Sequence, residues 1–437
     1  MYNLPLKKIA EYVNVPCDAK VVLQGVSVDS RLTQPGDLFV CLEGARVDGH
    51  DYVKQAEEKG AVALLVHKPV KSKLPQLLVK DTLESMSIAA RKYRKDLNAF
   101  IITITGSNGK TSTKDMLNSI LSSVGKTHAT HANQNTEIGT YLNIFQMDHK
   151  HEFGIFELGL DQVGDVAFMA DILQADAAIV TSLAPAHMMN FKDMNHIAEE
   201  KLAIFKDIKN NDFMFYQGDF SLYKEKMAGK GHDFGFEKDR EYYVSDVQLF
   251  EDKTEFSLNG IKYLTNLLGR HQASNAAGVI ALCQALKIND ETIREGLQTV
   301  SLTGLRTEKV KYKNADILLD SYKSNESSLN YAMELFDRFE TEKPKYLILS
   351  EMVEIGAESE AIHRSVMQSI DDYGFAGLYT IGEEFIKVKD DHFKTPHYAF
   401  DDFEAFNEAV QALFKEDVFA LIKGSRSYAL ERLINKE

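Results

Sequence analysis

The chain alternates between apolar runs and amphipathic stretches, and this pattern changes twice along its length. Residues 1 to about 98 combine short apolar runs with an amphipathic stretch at about 51–59. From about 99 to 300, longer apolar runs alternate with amphipathic stretches, and after about 301 the alternation starts again. We therefore predict three domains, with boundaries 1–98, 99–300 and 301–437.

The apolar runs have the length and the β-branched content of buried strands. A strand, a helix and a second strand in this order form the βαβ unit of parallel sheets. The sequence thus predicts an α/β fold with a small α/β first domain, a central domain on a parallel sheet and a doubly wound, Rossmann-like C-terminal domain. The predicted strands are 26–31, 36–42 and 61–66, then 100–105, 153–158, 177–182 and 212–216, and finally 317–320, 345–349, 377–381 and 418–422.

A glycine-rich loop follows the predicted strand 100–105 and precedes a helical pattern at 114–121. Strand, glycine loop, Lys-Thr and helix in this order are typical of a nucleoside triphosphate site, although this loop is shorter than the usual P-loop. Glycines let backbone N–H groups surround phosphate oxygens, and the helix start adds partial positive charge. Lys110 would then reach the terminal phosphates, and Thr111 would ligate Mg²⁺. The predicted phosphate loop comprises Gly106, Ser107, Asn108, Gly109, Lys110, Thr111 and Ser112.

Two polar residues after the loop, Glu157 and His187, are candidates for a metal site. Glu157 ends a strand about one βαβ unit later, where a carboxylate ligand for Mg²⁺ is needed. His187 follows the next strand and is either a metal ligand or a structural histidine. Lys201 lies in an amphipathic helix at 197–205, where a solvated lysine is the ordinary interpretation.

The composition limits the classes of partner. A formal net charge of −15 argues against nucleic acid and anionic membranes. The N-terminus has no signal-peptide core, and no apolar run approaches the roughly 18 residues of a membrane span. Three scattered cysteines (Cys17, Cys41 and Cys283) match no zinc spacing and suit a reducing compartment. We therefore expect a cytoplasmic protein that acts on small molecules.

The order and spacing of the polar motifs resemble the Mur ligase family over essentially the whole chain. Beside the phosphate loop, the resemblance rests on Gly269-Arg270-His271, Leu302-Thr303-Gly304-Leu305-Arg306, Asp320-Ser321-Tyr322-Lys323 and Lys423-Gly424-Ser425-Arg426. The family consists of ATP-dependent amide-bond ligases of peptidoglycan synthesis that work through an acyl phosphate. The Lys-Gly-Ser-Arg ending, with Asp29-Ser30-Arg31 and Asp48-Gly49-His50, is most similar to the member that adds D-alanyl-D-alanine to UDP-N-acetylmuramoyl-tripeptide.

This resemblance implies roles for individual residues, with ATP and two Mg²⁺ ions as cofactors. It makes Thr111, Glu157 and His187 metal ligands and Lys201 a carbamylated lysine at the second metal. It places Asn275 and Arg306 on the nucleotide. The implied catalytic residues are Lys110, His187, Lys201, Arg306, Asp320 and Lys323. The implied substrate contacts are Ser30, Arg31, Asp48, Gly49, His50, Asn133, Asn135, Lys423, Ser425 and Arg426.

Several positions around ATP and the incoming nucleophile depart from the family pattern. These positions are Thr136, Ser182, Ala184, Pro185, Ala203, Lys323, Glu326, Ser350 and Glu351. They leave two alternatives open: a Mur-like ligase with a different acceptor, and a non-catalytic nucleotide-binding paralogue. The sequence also leaves open whether the tripeptide carries lysine or diaminopimelate, and what oligomer forms.

Overall fold

The first part of the chain forms a small α/β unit. The structure is a computed structural model that describes residues 3–44, 46–185, 188–302, 308–353, 355–389 and 392–434. The first elements are β1 (Leu4–Pro5), α1 (Leu6–Tyr12), β2 (Val22–Leu23), β3 (Gly25–Ser27), β4 (Asp37–Val40), α2 (Val53–Lys59), β5 (Ala63–Val66), β6 (Gln76–Leu78) and α3 (Thr82–Asp96). Strands β3 to β6 form a parallel sheet in that order, and β1 pairs antiparallel with β2.

A nine-stranded sheet forms the middle of the molecule. Its elements are β7 (Phe100–Thr105), α4 (Lys110–Leu121), β8 (Thr127–Ala129), α5 (Glu137–Gln146), β9 (Phe153–Glu157), α6 (Asp165–Leu173), β10 (Ala177–Val180), α7 (Met194–Leu202), β11 (Met214–Gln217), α8 (Ser221–Met227), β12 (His232–Gly235), β13 (Tyr242–Leu249), β14 (Thr254–Leu258), β15 (Ile261–Thr265), α9 (Arg270–Ala285) and α10 (Asp290–Gln298). The strand order is β15-β14-β13-β12-β11-β10-β7-β9-β8. Along this order, each pair of neighbouring strands from β13 to β8, β7 included, is parallel, whereas β13, β14 and β15 pair antiparallel.

A six-stranded sheet with helices on both faces follows. Its elements are β16 (Glu308–Tyr312), β17 (Ala315–Asp320), α11 (Glu326–Arg338), β18 (Lys345–Ser350), α12 (Ser359–Ile370), β19 (Gly377–Ile381), α13 (Glu383–Lys387), β20 (His397–Phe400), α14 (Phe403–Leu413) and β21 (Phe419–Lys423). The strand order is β16-β17-β21-β18-β19-β20, parallel except at the β16–β17 edge. Helices α11, α12 and α13 pack on one face of this sheet and α14 packs on the other.

The predicted α/β architecture is confirmed, and each predicted strand overlaps an observed one within a few residues. The antiparallel extension β13–β15 of the central sheet was not predicted, because its strands are half exposed and lack a continuous apolar run. One local signal marks it. Asn259 and Gly260 both have positive φ between β14 and β15, and Asn-Gly is the favoured pair for a two-residue hairpin turn.

Helix α3 packs between the four-stranded sheet of β3 to β6, called the first sheet from here on, and the central unit. It belongs to the predicted first domain, yet its buried face shares one apolar cluster with residues of α5 and α6. Tyr93 stacks on Phe145 with ring centroids 5.9 Å apart, and Arg94 donates to the carbonyl of Leu173 at 2.8 Å. Removal of residues 1–98 would therefore uncover apolar surface of the central unit. None of the helices in the described ranges is long and apolar enough to cross a membrane.

Candidate active site

Residues 106–109 of the phosphate loop connect β7 to α4, as predicted, but α4 begins at Lys110 rather than at 114 and so includes the last three residues of the predicted loop. Residues that follow β10 hold the loop in place. The N–H of Asn108 donates to Ser182 Oγ at 2.8 Å, and Thr181 Oγ1 donates to the carbonyl of Asn108 at 2.6 Å. A Cβ on Gly106 would lie 1.9 Å from Thr181 Oγ1, so this position requires glycine. Ser182, one of the departures from the family pattern, thus has a structural task beneath the loop.

The start of α4 brings together the groups that suit phosphate and metal. Lys110 Nζ donates to the carbonyl of Gly106 at 2.8 Å, so its ammonium lies over the loop. Thr111 Oγ1 donates to Glu157 Oε2 at 2.7 Å, and Asn135 Nδ2 donates to Glu157 Oε1 at 2.9 Å. Glu157 is buried, with 3% of its surface exposed. A buried carboxylate beside a hydroxyl fits the oxygen ligands that Mg²⁺ takes together with phosphate.

Two residues predicted for this site, His187 and Arg306, lie outside the described residues. Within the described ranges, no cluster of three or more His, Cys, Asp or Glu side chains could hold a metal ion.

Lys201 is buried inside the cavity wall, with 3% of its surface exposed, rather than solvated as its helix pattern suggested. Burial lowers the pKa of this lysine well below its usual range, and the cations Lys110 and Lys323 lower it further, opposed by Asp161. A neutral amine is the form that attacks carbon dioxide. Asp161, which also lines the cavity, was not singled out from the sequence because nothing local distinguishes it from a surface aspartate.

The six-stranded sheet of β16 to β21, called the third sheet from here on, closes the cavity opposite the phosphate loop. Asp320 and Lys423 end the neighbouring strands β17 and β21, and Lys423 Nζ lies 2.7 Å from Asp320 Oδ2. Lys423 also donates to the carbonyl of Lys323 at 3.0 Å, which fixes the turn that carries Lys323. The enclosed space is about 270 Å³, and all three residues line it together with Lys110 and Lys201. Four lysines therefore converge on one cavity, and the ammonium groups of Lys110, Lys323 and Lys423 suit anionic substrates.

A less polar end of the cavity adjoins the start of α9. Asn275 lies against the phosphate loop, where its Oδ1 would be 2.5 Å from a Cβ on Gly109. Its Nδ2 donates to Gln272 Oε1 at 3.1 Å, and Gln272 Nε2 donates to Ser112 Oγ at 3.3 Å. The lining here includes aromatic and aliphatic side chains that the sequence did not mark: Phe220, Phe236, Leu302 and Tyr331. Such a wall suits a planar base.

The predicted substrate residues of the first sheet form a separate group of contacts. Ser30 Oγ donates to Gln55 Oε1 at 2.6 Å, and the exposed Arg31 pairs with Asp29 at 2.6 Å. His50 is buried: its Nδ1 lies 2.6 Å from Asp48 Oδ1, and its Nε2 accepts the N–H of His67 at 3.2 Å. Both ring nitrogens thus have partners inside this unit.

The Asp48-Gly49-His50 turn is fixed from both ends. Lys68 donates to Asp48 Oδ2 at 2.6 Å, and this contact contributes most to holding the pKa of the Asp48 carboxyl below its usual range. Gly49 donates to the carbonyl of Leu42 at 2.8 Å, and a Cβ on Gly49 would meet the Leu42 backbone at 2.8 Å. Substrate binding by this turn stays a prediction; the structure shows that the turn is hydrogen-bonded within its own unit.

The remaining predicted substrate residues differ in exposure. Asn133 is exposed and its carbonyl accepts the N–H of Asn135 at 2.8 Å. Ser425 is buried, and its N–H donates to Ser350 Oγ at 2.8 Å. Arg426 is half exposed and pairs with Glu431. Ser350, a departure from the family pattern, is therefore a support for the Lys423-Gly424-Ser425-Arg426 turn.

Glu351, the neighbouring departure, also has a structural task. Tyr428 OH donates to Glu351 Oε1 at 2.6 Å, and the N–H of Glu384 donates to Oε2 at 3.0 Å. Thr136 caps α5, since its Oγ1 accepts the N–H of Gly139 at 3.4 Å. At each of these three departures, Thr136, Ser350 and Glu351, the side chain thus accepts a hydrogen bond from a backbone N–H.

The chain matches known proteins in sequence over almost its whole length. The model of the Mur ligase middle domain matches residues 104–283, and that of the Mur ligase family, catalytic domain, matches residues 22–109. The UDP-N-acetylmuramoyl-tripeptide--D-alanyl-D-alanine ligase of Bacillus subtilis (strain 168) is 30% identical, covering 99% of this chain and 98% of that protein.

Solved structures share the fold over nearly the whole chain. MurF from Acinetobacter baumannii aligns with a TM-score of 0.88 at 22% identity and covers 99% of this chain and 98% of its own. MurF ligase from Thermotoga maritima, in complex with ADP, aligns with a TM-score of 0.81 at 23% identity, covering 94% and 96%.

A glycine-rich loop on a parallel sheet, faced by lysines from a doubly wound sheet, has the architecture of a nucleotide-binding enzyme, and the matched family models and relatives are ligases. The chain belongs to the Mur ligase family. The family resemblance predicted from the motifs is thereby confirmed.

Proposed function

We propose that this enzyme joins D-alanyl-D-alanine to UDP-N-acetylmuramoyl-tripeptide with consumption of ATP, as the name of its Bacillus subtilis relative states for that protein. The observation that carries the proposal is the cavity between the phosphate loop and the third sheet, where Lys110, Lys201, Lys323 and Lys423 converge. Both ATP and a substrate carboxylate are anionic, and the ammonium groups of Lys110 on one side of the cavity and of Lys323 and Lys423 on the other offset the repulsion between them. Since ATP and the UDP-linked substrate are intracellular small molecules, we also propose a cytoplasmic location.

The proposed reaction has two steps. The substrate carboxylate attacks the γ-phosphate of ATP, which releases ADP and leaves an acyl phosphate. The amine of the acceptor then attacks the acyl carbon, phosphate leaves, and the amide bond forms. The ammonium of Lys110 would hold the phosphate oxygens, and the third sheet would keep water from the acyl phosphate.

Mg²⁺ fits the donor set at the start of α4. Thr111 and Glu157 would hold the ion beside the phosphates, and carbamylated Lys201 would supply a second carboxylate group for another ion. When bound, the ions would neutralise the charge that develops on the phosphate oxygens. His187 and Arg306 keep their predicted roles as metal ligand and nucleotide contact, and Asn275 its role beside the adenine.

The test is a reaction with UDP-N-acetylmuramoyl-tripeptide, D-alanyl-D-alanine and ATP, in which amide product and phosphate are measured together. Equal amounts of product and phosphate are the expected result. The reaction is run with lysine and with diaminopimelate in the tripeptide, and the rates show which of the two is the better substrate. Product with another dipeptide or amino acid only would identify a Mur-like ligase with a different acceptor. Nucleotide binding without phosphate release from any substrate pair would identify a non-catalytic paralogue.

We propose the domain division 1–98, 99–300 and 301–437, with the UDP-sugar end of the substrate on the first domain. Its support is that each of the three main sheets lies within one of these ranges. Because α3 shares a core with the central unit, point variants of the full chain are preferable to truncation.

Arg31→Ala is expected to weaken binding of the UDP-linked precursor about tenfold, since a charge-assisted contact to phosphate is lost from an exposed position. ADP affinity should stay unchanged. Calorimetric titration of both ligands into the full-length variant measures this. Arg338→Ala, an exposed arginine on α11, is the matched control. Unaltered precursor affinity in Arg31→Ala would contradict the assignment.

Lys323→Asn is expected to reduce turnover, because it removes one of the cations lining the cavity and restores the commoner family residue. If Lys323 binds phosphate, the rate falls about equally with every acceptor offered. If it binds the carboxylate of the acceptor, the fall depends on which dipeptide is used. Charge-assisted contacts of this kind are worth about 1.5–3 kcal/mol.

The control for this change is Lys311→Asn on the exposed edge strand β16, which lies outside the cavity. Steady-state rates with D-alanyl-D-alanine and with other dipeptides distinguish the two roles. A variant with the wild-type rate and wild-type acceptor preference would show that Lys323 is a turn residue without a catalytic task.

A further inference from the structure

A reciprocal pair of side-chain amides joins the phosphate loop to the third sheet. Asn325 Nδ2 donates to Asn108 Oδ1 at 2.8 Å, and Asn108 Nδ2 donates to Asn325 Oδ1 at 3.3 Å. The two residues are 217 positions apart in the chain. Asn325 is buried, with 6% of its surface exposed, and Asn108 is partly buried in the cavity wall.

Asn325 is held rigidly at the N-terminus of α11. Its Oδ1 also accepts the N–H of Ser328 at 2.9 Å, and its own N–H donates to Ser328 Oγ at 3.0 Å, which completes a capping box. Asn108 is equally constrained, because its peptide group is bonded by Thr181 and Ser182. Both side chains of the amide pair therefore come from residues whose own backbone is held by further hydrogen bonds.

One face of α11 covers the nucleotide cavity behind this pair. Ser328, Tyr331, Ala332 and Leu335 recur at the three- and four-residue spacing of a helix face, and all four line the cavity. Tyr331 stacks on His271 of the central unit, with ring centroids 5.1 Å apart. Helix α11 is thus the cover of the cavity, and its N-terminal end rests on the loop that would bind the phosphates.

We infer that Asn325 is a positioning residue that seats α11 on the phosphate loop through Asn108, and that the pair keeps water from the acyl phosphate. The inference rests on the proposed function for its chemical consequence. When α11 is displaced, water attacks the acyl phosphate, the carboxylate is regenerated and phosphate is released without an amide. When the pair is weakened, we therefore expect more phosphate than amide product to be released, and not only a slower reaction.

Asn325→Ser is the variant that tests this. Serine retains the N-cap of α11 but is too short to reach Asn108, so folding should be preserved while the pair is lost. The ratio of phosphate to amide, about one in the wild type, is expected to rise about fivefold, on the scale of two neutral hydrogen bonds. The matched control is Asn330→Ser on the same helix, whose amide faces Ser369 within the third sheet's own helices.

A double-mutant cycle with Asn108→Ala tests whether Asn108 and Asn325 act as one pair or as two independent residues. If the two amides act together, Asn108→Ala with Asn325→Ser should show no larger ratio than Asn325→Ser alone. A ratio that remains at one in Asn325→Ser, or effects of the two changes that multiply, would overturn the inference.

A second readout does not depend on the acceptor. Binding of ADP should protect the N-terminal amides of α11 from hydrogen exchange in the wild type and in Asn330→Ser, and less so in Asn325→Ser. Absence of amide product from the wild type would contradict the proposed function, whereas equal protection in all three proteins would contradict the seating of α11 by Asn325.

Discussion

Lys110→Ala is expected to reduce ATP-dependent amide formation at least about 10²-fold, the scale seen when one preorganised donor to a developing anion is removed. The ammonium of Lys110 lies over the phosphate loop, 2.8 Å from the carbonyl of Gly106, and contributes no packed volume to the core. The loss should therefore appear in the rate, with the melting temperature nearly unchanged. Coupled phosphate release and calorimetry of unfolding measure the two quantities.

Lys54→Ala serves as the control for this change, since Lys54 is an exposed lysine of helix α2 with a long contact to Glu58 at 3.9 Å. It should retain the wild-type rate. If Lys110→Ala keeps more than about a tenth of that rate, the role of Lys110 in stabilising phosphate charge is contradicted, because donors of this kind supply several kcal/mol.

Lys201 is expected to be carbamylated, and Lys201→Ala is expected to lose about 10²-fold or more in rate, since the change removes a carboxylate group that would hold the second metal ion. Burial and the neighbouring Lys110 and Lys323 lower the pKa of its amine, so the neutral, reactive form is present at a lower pH than for an exposed lysine. Activity should accordingly fall in bicarbonate-free buffer and recover when bicarbonate is restored.

The modification itself is measurable without turnover. Protein equilibrated with ¹³C-labelled bicarbonate should show one carbamate carbon signal that is absent from Lys201→Ala and retained in Lys209→Ala, an exposed lysine shortly after the same helix. A fully active Lys201→Ala protein, together with an unmodified lysine in the wild type, would exclude this role.

Local sequence determined the elements that carry the chemistry. The phosphate loop could be predicted because strand, glycine loop, Lys-Thr and helix are contiguous in the chain. The position of Glu157 at the end of a strand could also be predicted, because a single apolar run indicates where a buried strand ends. The α/β class followed from alternation along the chain, which burial on both faces of a sheet imposes.

Tertiary structure alone decided which of these groups meet. Lys201 has the surroundings of a surface lysine in its own helix, and only packing against the cavity buries it. Likewise the pairs Asp320–Lys423 and Asn108–Asn325 join residues more than 100 positions apart. Hydrophobic periodicity specifies that a strand or helix is buried but not which strand ends become neighbours, because that choice depends on how whole sheets pack together.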